Sequence, residues 1–125
     1  MRVLAFPKTK RLLNPDDFAH VFTNVDCKQG GAYFTFLSCA NEQGNSRLGI
    51  IVAKRHCKRA VDRNRIKRCT RESFRQLTVN FDSTSTPCDV VVIAKAGAAE
   101  LANQQLNSEL NRQWNKLLKK RQART

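Results

Sequence analysis

Leu48-Gly49-Ile50-Ile51-Val52-Ala53 leads directly into Lys54-Arg55-His56-Cys57-Lys58-Arg59-Ala60-Val61-Asp62-Arg63-Asn64-Arg65-Ile66-Lys67-Arg68. The first six residues are β-branched and apolar, the composition of a buried strand. Beyond them the apolar spacing changes. Ile66, Thr70, Ser73 and Leu77 follow one another at intervals of four, three and four, a single stripe of an α-helix over residues 59–77. Cys69 and Phe74 flank that stripe and turn it toward a core. Asp89-Val90-Val91-Val92-Ile93-Ala94 then reads as a central strand, so the middle of the chain is a strand, a helix and a strand.

Working outward, Tyr33 to Cys39 is an aromatic-rich strand, and the turn cluster Asn41–Ser46 makes the next strand antiparallel to it. Gly30-Gly31 separates this strand from an earlier helix. Asn14 is its N-cap, Pro15 its first residue, and Asp16 and Asp17 complement the positive end of its dipole. Leu13 is placed to staple onto Phe18. Phe18, Val21, Phe22 and Val25 form its apolar face. Phe81 to Pro87 reads as a Ser/Thr-rich loop. A last helix, from about Asn103 to Arg121, turns Leu106, Leu110, Trp114, Leu117 and Leu118 inward. The order α-β-β-α-β-α, with three or four strands, predicts an α+β fold built as a two-layer α/β sandwich. One domain spans residues 1–125, with a basic segment at 1–13 and a flexible tail at 122–125. At 125 residues two independent cores would each be marginal.

The charge is lopsided. Lys and Arg number 23 against 10 Asp and Glu, a formal net charge of +13. A polyanion is the natural partner for so basic a domain; nucleic acid leads and an anionic membrane surface comes second. No apolar run nears the roughly 18–20 residues that cross a bilayer, and the first residues lack the apolar core of a secretion signal. A cytoplasmic protein is expected. Five widely spaced cysteines without a C-x-x-C pair suggest free buried thiols rather than metal ligands or disulfides.

Ten of the basic residues fall within 54–75, which holds only Asp62 and Glu72 as acids. On the helix, Asn64, Arg68, Arg71 and Arg75 run along the side opposite the apolar stripe. Arg65 lies beside them, and Arg63 and Lys67 form a shoulder. An uncompensated ridge dominated by arginine suits bidentate contacts to phosphates.

Lys58-Arg59-Ala60-Val61-Asp62-Arg63-Asn64-Arg65-Ile66-Lys67-Arg68 resembles the Arg-Asn-Arg signature of the bacterial ribonuclease P protein subunit. The resemblance extends over almost the whole chain: Arg11-Leu12 and Asp17-Phe18-x-x-Val21-Phe22 at its start, Leu48 to Arg55 before the motif, Val90 to Lys95 after it, and the Trp114 helix at its end. It implies a left-handed β-α-β crossover over a mixed sheet, as in a ribosomal protein domain. It also implies a protein that joins a catalytic RNA to cleave the 5′ leader from precursor tRNA. The motif helix, with Lys58, Arg59, Arg63, Asn64, Arg65, Lys67, Arg68, Arg71 and Arg75, would contact the catalytic RNA. A groove with Phe18, Phe22, Phe36, Lys54 and Arg55 would take the single-stranded leader. Mg²⁺ in the holoenzyme would be held mainly by the RNA, and neither a membrane nor an obligate protein partner is implied.

The residues themselves leave some readings open. Phe18 and Phe22, one turn apart, with Phe36 on a nearby strand, are either a platform for unpaired bases or plain core. Trp114 reads as core. The basic ends, Lys8, Lys10, Arg11 and Lys116 to Arg124, are either phosphate tethers or solubilising tails. A self-sufficient nuclease would need an acid cluster or an acid–base pair; the ten acids are scattered, and His20 and His56 lie in different elements. A helix-turn-helix DNA regulator would need a helix where residues 48–53 read as a strand. A ribosomal protein is the remaining alternative, on fold analogy.

Overall fold

The computed structural model describes residues 11–41, 45–84 and 87–124; Lys8 and Lys10 lie outside these. The elements are α1 (Pro15–Thr23), β1 (Cys27–Gly30), β2 (Phe34–Ala40), β3 (Arg47–Ile51), α2 (Ala60–Thr84), β4 (Cys88–Ala94), a 3-10 turn (Ala98–Glu100) and α3 (Asn103–Arg124). The strands form one mixed sheet in the order β1-β2-β4-β3. β2 is antiparallel to both β1 and β4, and β3 is parallel to β4 with Ile50 opposite Val92. This is the expected α+β sandwich, with α2 as the crossover between parallel strands.

Pleating assigns the faces. Phe34, Phe36, Val90 and Val92 join Ile66, Phe74, Leu106, Leu110, Trp114 and Leu117 in the larger core, beneath α2 and α3. Leu37, Cys39, Val91 and Ile93 point the other way and pack with Leu12, Phe18 and Val21 beneath α1. β4 is therefore covered on both faces, which is why it reads as a continuous apolar run. Trp114 joins the helices to the sheet. Its ring lies 4.6 Å from that of Phe36 and 5.5 Å from that of Phe74, and its Nε1 donates to Ser73 Oγ at 2.8 Å.

Three expectations are corrected. The order gains a strand, because Cys27-Lys28-Gln29-Gly30 pairs with Thr35–Ser38 although its composition is poor for a strand. The pairing is fixed by α3: Gln29 Nε2 donates to Gln113 Oε1 at 2.8 Å, and Gln113 Nε2 to Glu109 Oε2 at 3.0 Å. Gly31 permits this approach, since a Cβ there would stand 2.5 Å from Gln113 Nε2. Second, α2 runs to Thr84 instead of ending at 77, so the backbone of 81–84 is helix, not loop. Third, α3 reaches Arg124 and takes in most of the expected tail.

Both sheet flanks are covered. Leu12 N donates to Leu48 O at 2.9 Å, and Arg11 bridges Leu48 in parallel, so the lead-in lies along β3. At the β1 side, the carbonyls of Lys28, Gly30 and Gly31 accept from the side chains of Lys120, Gln29 and Lys95.

Candidate nucleic-acid interface

The lead-in, β3, α1 and α2 enclose a recess of about 210 Å³ lined by Arg11, Leu12, Leu13, Phe18, Leu48, Gly49, Ile50, Lys67 and Arg71. Three cations from two distant segments share it, and no acid is among its described lining residues. Burial, and after it the neighbouring Arg11 charge, pulls the Arg71 guanidinium below its ordinary value. Like charges held together and partly stripped of water are relieved by an arriving anion. The space accommodates a phosphate with a few waters, at about 30 Å³ per water.

A second, more open recess of about 540 Å³ adjoins it, lined by Leu13, Asn14, Pro15, Phe18, Ala19, Phe22 and Ile51. The two share Leu13 and Phe18. Phe22 is 45% exposed and Leu13 59%, which is unusual for large apolar side chains on a groove wall. The Asn14 cap sets the start of this wall, with Asp17 N donating to Asn14 Oδ1 at 2.9 Å. Gly49, which lines the first recess, lets the Phe18 ring sit close against β3: a Cβ there would lie 2.6 Å from Phe18 Cε1. Lys54 and Arg55 are exposed in the turn after β3, a few residues beyond Ile51.

The expected groove set is therefore split. Phe18 and Phe22 share a wall. Phe36 does not join them; it is fully buried on the opposite side of the sheet against Trp114. The reason is the two-residue period of β2, which sends Leu37 to the α1 face and Phe36 to the other.

The motif helix divides in the same way. Ile66, Thr70 and Ser73 are buried as the stripe predicts; the side chain of Leu77 lies outside the described residues. Asn64 and Arg68 are exposed, Lys67 and Arg71 half-buried, and Lys58 and Arg59 exposed before the helix. Arg68, Arg71, Glu72 and Arg75 surround a shallow dip on the outer face, and Arg75 pairs with Glu72. Two motif arginines are anchored in the protein. Arg65 donates through Nη1 to Leu101 O at 2.8 Å and Asn103 Oδ1 at 3.0 Å, and through Nη2 to Ala99 O at 2.8 Å. Arg63 Nη1 donates to Cys57 O at 3.0 Å and Lys58 O at 2.9 Å, bracing the turn before α2.

Sequence reasoning left Arg11 as one basic end among several, whereas the structure seats it in the cationic recess; its only sequence signal was the adjacent Leu12, which anchors the lead-in. In the C-terminal region, Arg121 is a core residue: it is 6% exposed and donates to Asp26 Oδ1 at 2.5 Å and Ser38 Oγ at 2.9 Å. Arg47 likewise holds the buried Asp89 through two hydrogen bonds of 2.8 and 2.7 Å. His20 and His56 lie apart, and among the described residues no three His, Cys, Asp or Glu side chains gather as a metal-binding set. No helix among them is long and apolar enough to cross a membrane.

The Ribonuclease P family profile matches residues 6–118. The chain is 38% identical to the ribonuclease P protein component of Marinobacter nauticus over 120 residues, covering 96% of this chain and 87% of that one. It is 45% identical to that of Yersinia pestis over 111 residues, with 89% of each chain covered. Among solved structures, the Staphylococcus aureus RNase P protein superposes with a TM-score of 0.70 at 29% identity, over 88% of this chain and 93% of that one. The Thermotoga maritima RNase P protein gives 0.62 at 30% identity, over 82% and 96%. Sequence, fold and the basic motif helix agree: the chain belongs to the family of ribonuclease P protein components, the protein part of an endoribonuclease that works with an RNA in processing tRNA 5′ leaders.

Proposed function

We propose that the two adjoining recesses bind the single-stranded 5′ leader of precursor tRNA, while the outer face of α2 lies against the catalytic RNA. The observation that carries this reading is their continuity through Leu13 and Phe18. A nucleotide strand presents phosphates and base faces side by side, at the spacing of neighbouring subsites. Arg11, Lys67 and Arg71 offer charge for a phosphate. Phe18 and Phe22 offer faces on which unpaired bases stack, each worth about 1–3 kcal/mol. Lys54 and Arg55 would extend the path beyond Ile51. On α2, Asn64, Arg68 and Arg75, with Lys58 and Arg59 ahead of them, would make the RNA contacts, and Arg63 and Arg65 would hold the helix in place.

Hydrolysis in this reading belongs to the RNA, and so does the Mg²⁺. In this reading no step is routed through the protein's own side chains. What the chain contributes is neutralisation and positioning: cations lower the repulsion between two RNAs, and the groove holds the leader in line with the scissile bond.

Reconstitution tests this. Purified chain alone is expected to leave precursor tRNA intact, and chain plus cognate catalytic RNA at low Mg²⁺ to cleave it at the mature 5′ end. Cleavage by the chain after exhaustive removal of RNA, or failure of folded protein to stimulate the RNA, overturns the proposal.

A further inference from the structure

Asn14 is the single polar side chain among the described residues that line the apolar recess beside α1. Its amide is held in one orientation by the fold. Oδ1 accepts from Asp17 N at 2.9 Å and caps α1, which only the oxygen end of the amide can do. Nδ2 is thereby turned away from the helix start, and among the described residues it has no hydrogen-bond partner. The cap thus makes the outward end of Asn14 a donor and never an acceptor. The neighbouring backbone does not duplicate it: Pro15 has no N–H, and Asp17 N is already bonded to the cap. Asn14, Phe18 and Phe22 follow one another at intervals of four, on one side of α1. Four residues of helix rise about 6 Å. That matches the reach from the middle of a base stacked on Phe18, through its exocyclic group, to a nitrogen about 2.9 Å beyond.

We propose that Asn14 is the base-discriminating residue of the groove, donating through Nδ2 to the exocyclic oxygen of a leader base stacked on Phe18. Uracil and guanine carry an oxygen at that position, cytosine and adenine an amino group. A fixed donor bonds the first pair. Against the second it sets N–H facing N–H and leaves both without an acceptor. Aromatic faces stack any base, so Asn14 adds the preference that stacking lacks. A residue that only capped the helix would confer none.

This inference rests on the leader-groove reading, and its test separates the two. The holoenzyme is assembled with the full chain as parent, Asn14→Asp, Asn14→Ser and Phe22→Ala. Asp and Ser cap helices as well as Asn does, so the first three forms are expected to melt alike. Affinity is measured for precursor tRNAs in which each leader base in turn is U, C, G or A, and for mature tRNA without a leader. At one leader position the parent is expected to favour U over C, and G over A, by about three- to tenfold. Asn14→Asp, whose outward oxygen accepts, is expected to reverse that order. Asn14→Ser, whose shorter hydroxyl both donates and accepts, is expected to erase it. Ratios at one position are compared, so a general loss from the added negative charge cancels. A parent without this preference at any position, or a preference unchanged in both Asn14 variants, overturns the role of Asn14. Phe22→Ala is expected to weaken binding of precursor tRNA and to spare mature tRNA. If Phe22→Ala does so while the Asn14 variants keep the parent's ratios, only the role of Asn14 falls. If Phe22→Ala binds precursor tRNA as tightly as the parent, the leader-groove reading falls.

Discussion

Arg65 and Arg68 stand three residues apart in one basic run and do different work. Arg65 is tied to Ala99, Leu101 and Asn103, whereas Arg68 is exposed. Arg65→Ala is expected to lower stability by about 1–3 kcal/mol, since it leaves carbonyls without their charged donor. Arg68→Ala is expected to leave the melting temperature nearly unchanged and to weaken RNA binding. Melting curves and a binding isotherm on both variants check the contrast. Gly49 offers a different kind of test. Gly49→Ala drives a methyl into the Phe18 ring, which must shift from its place on the groove wall; holoenzyme affinity for precursor tRNA is expected to fall while affinity for the catalytic RNA alone holds. Cys88 reports on the core: burial pushes its thiol up to about 12 from 9.0. Unfolded Cys88 ionises from about pH 9 while the folded residue keeps its proton. Its contribution to stability is therefore intact below pH 9 and lost as pH climbs toward 12. Urea midpoints between pH 8 and 10.5 are expected to fall more steeply for the parent than for Cys88→Ala.

At the level of elements, the strand and helix periods carried most of the reading. The stripe Ile66-Thr70-Ser73 oriented α2 correctly because helical spacing alone fixes which side faces inward. Phe36 was misassigned because an alternating strand says that two sets of residues face opposite ways but not which set meets α1. β1 escaped notice because Lys28 and Gln29 have no strand preference of their own; their placement depends on Gln113, more than eighty residues away. The basic ridge was visible as charge, but sequence cannot show that Arg63 and Arg65 bind carbonyls in place of phosphates. The contact between α2 and α3 is itself testable. Ser73→Ala removes the acceptor of the buried Trp114 Nε1 proton. It is expected to cost about 1–3 kcal/mol and to shift the emission of the chain's single tryptophan.

Over the whole molecule, the +13 charge overstates what is offered to a partner. Arg47 and Arg121 are held against Asp89 and Asp26, linking strands and helix inside the fold. Asp26→Ala leaves the Arg121 guanidinium buried without its carboxylate, a loss of about 3 kcal/mol, readable by chemical denaturation at pH 7. The same logic extends to the outer limits of the β layer. With Leu12 bonded along β3 and the β1 carbonyls occupied, neither side invites a second copy to add on. A chain made in excess over its RNA is therefore expected to stay dispersed. Trimming residues 1–13 would strip that protection from the β3 side alone, and light scattering is expected to report pairing of two copies through β3 that the intact chain does not support.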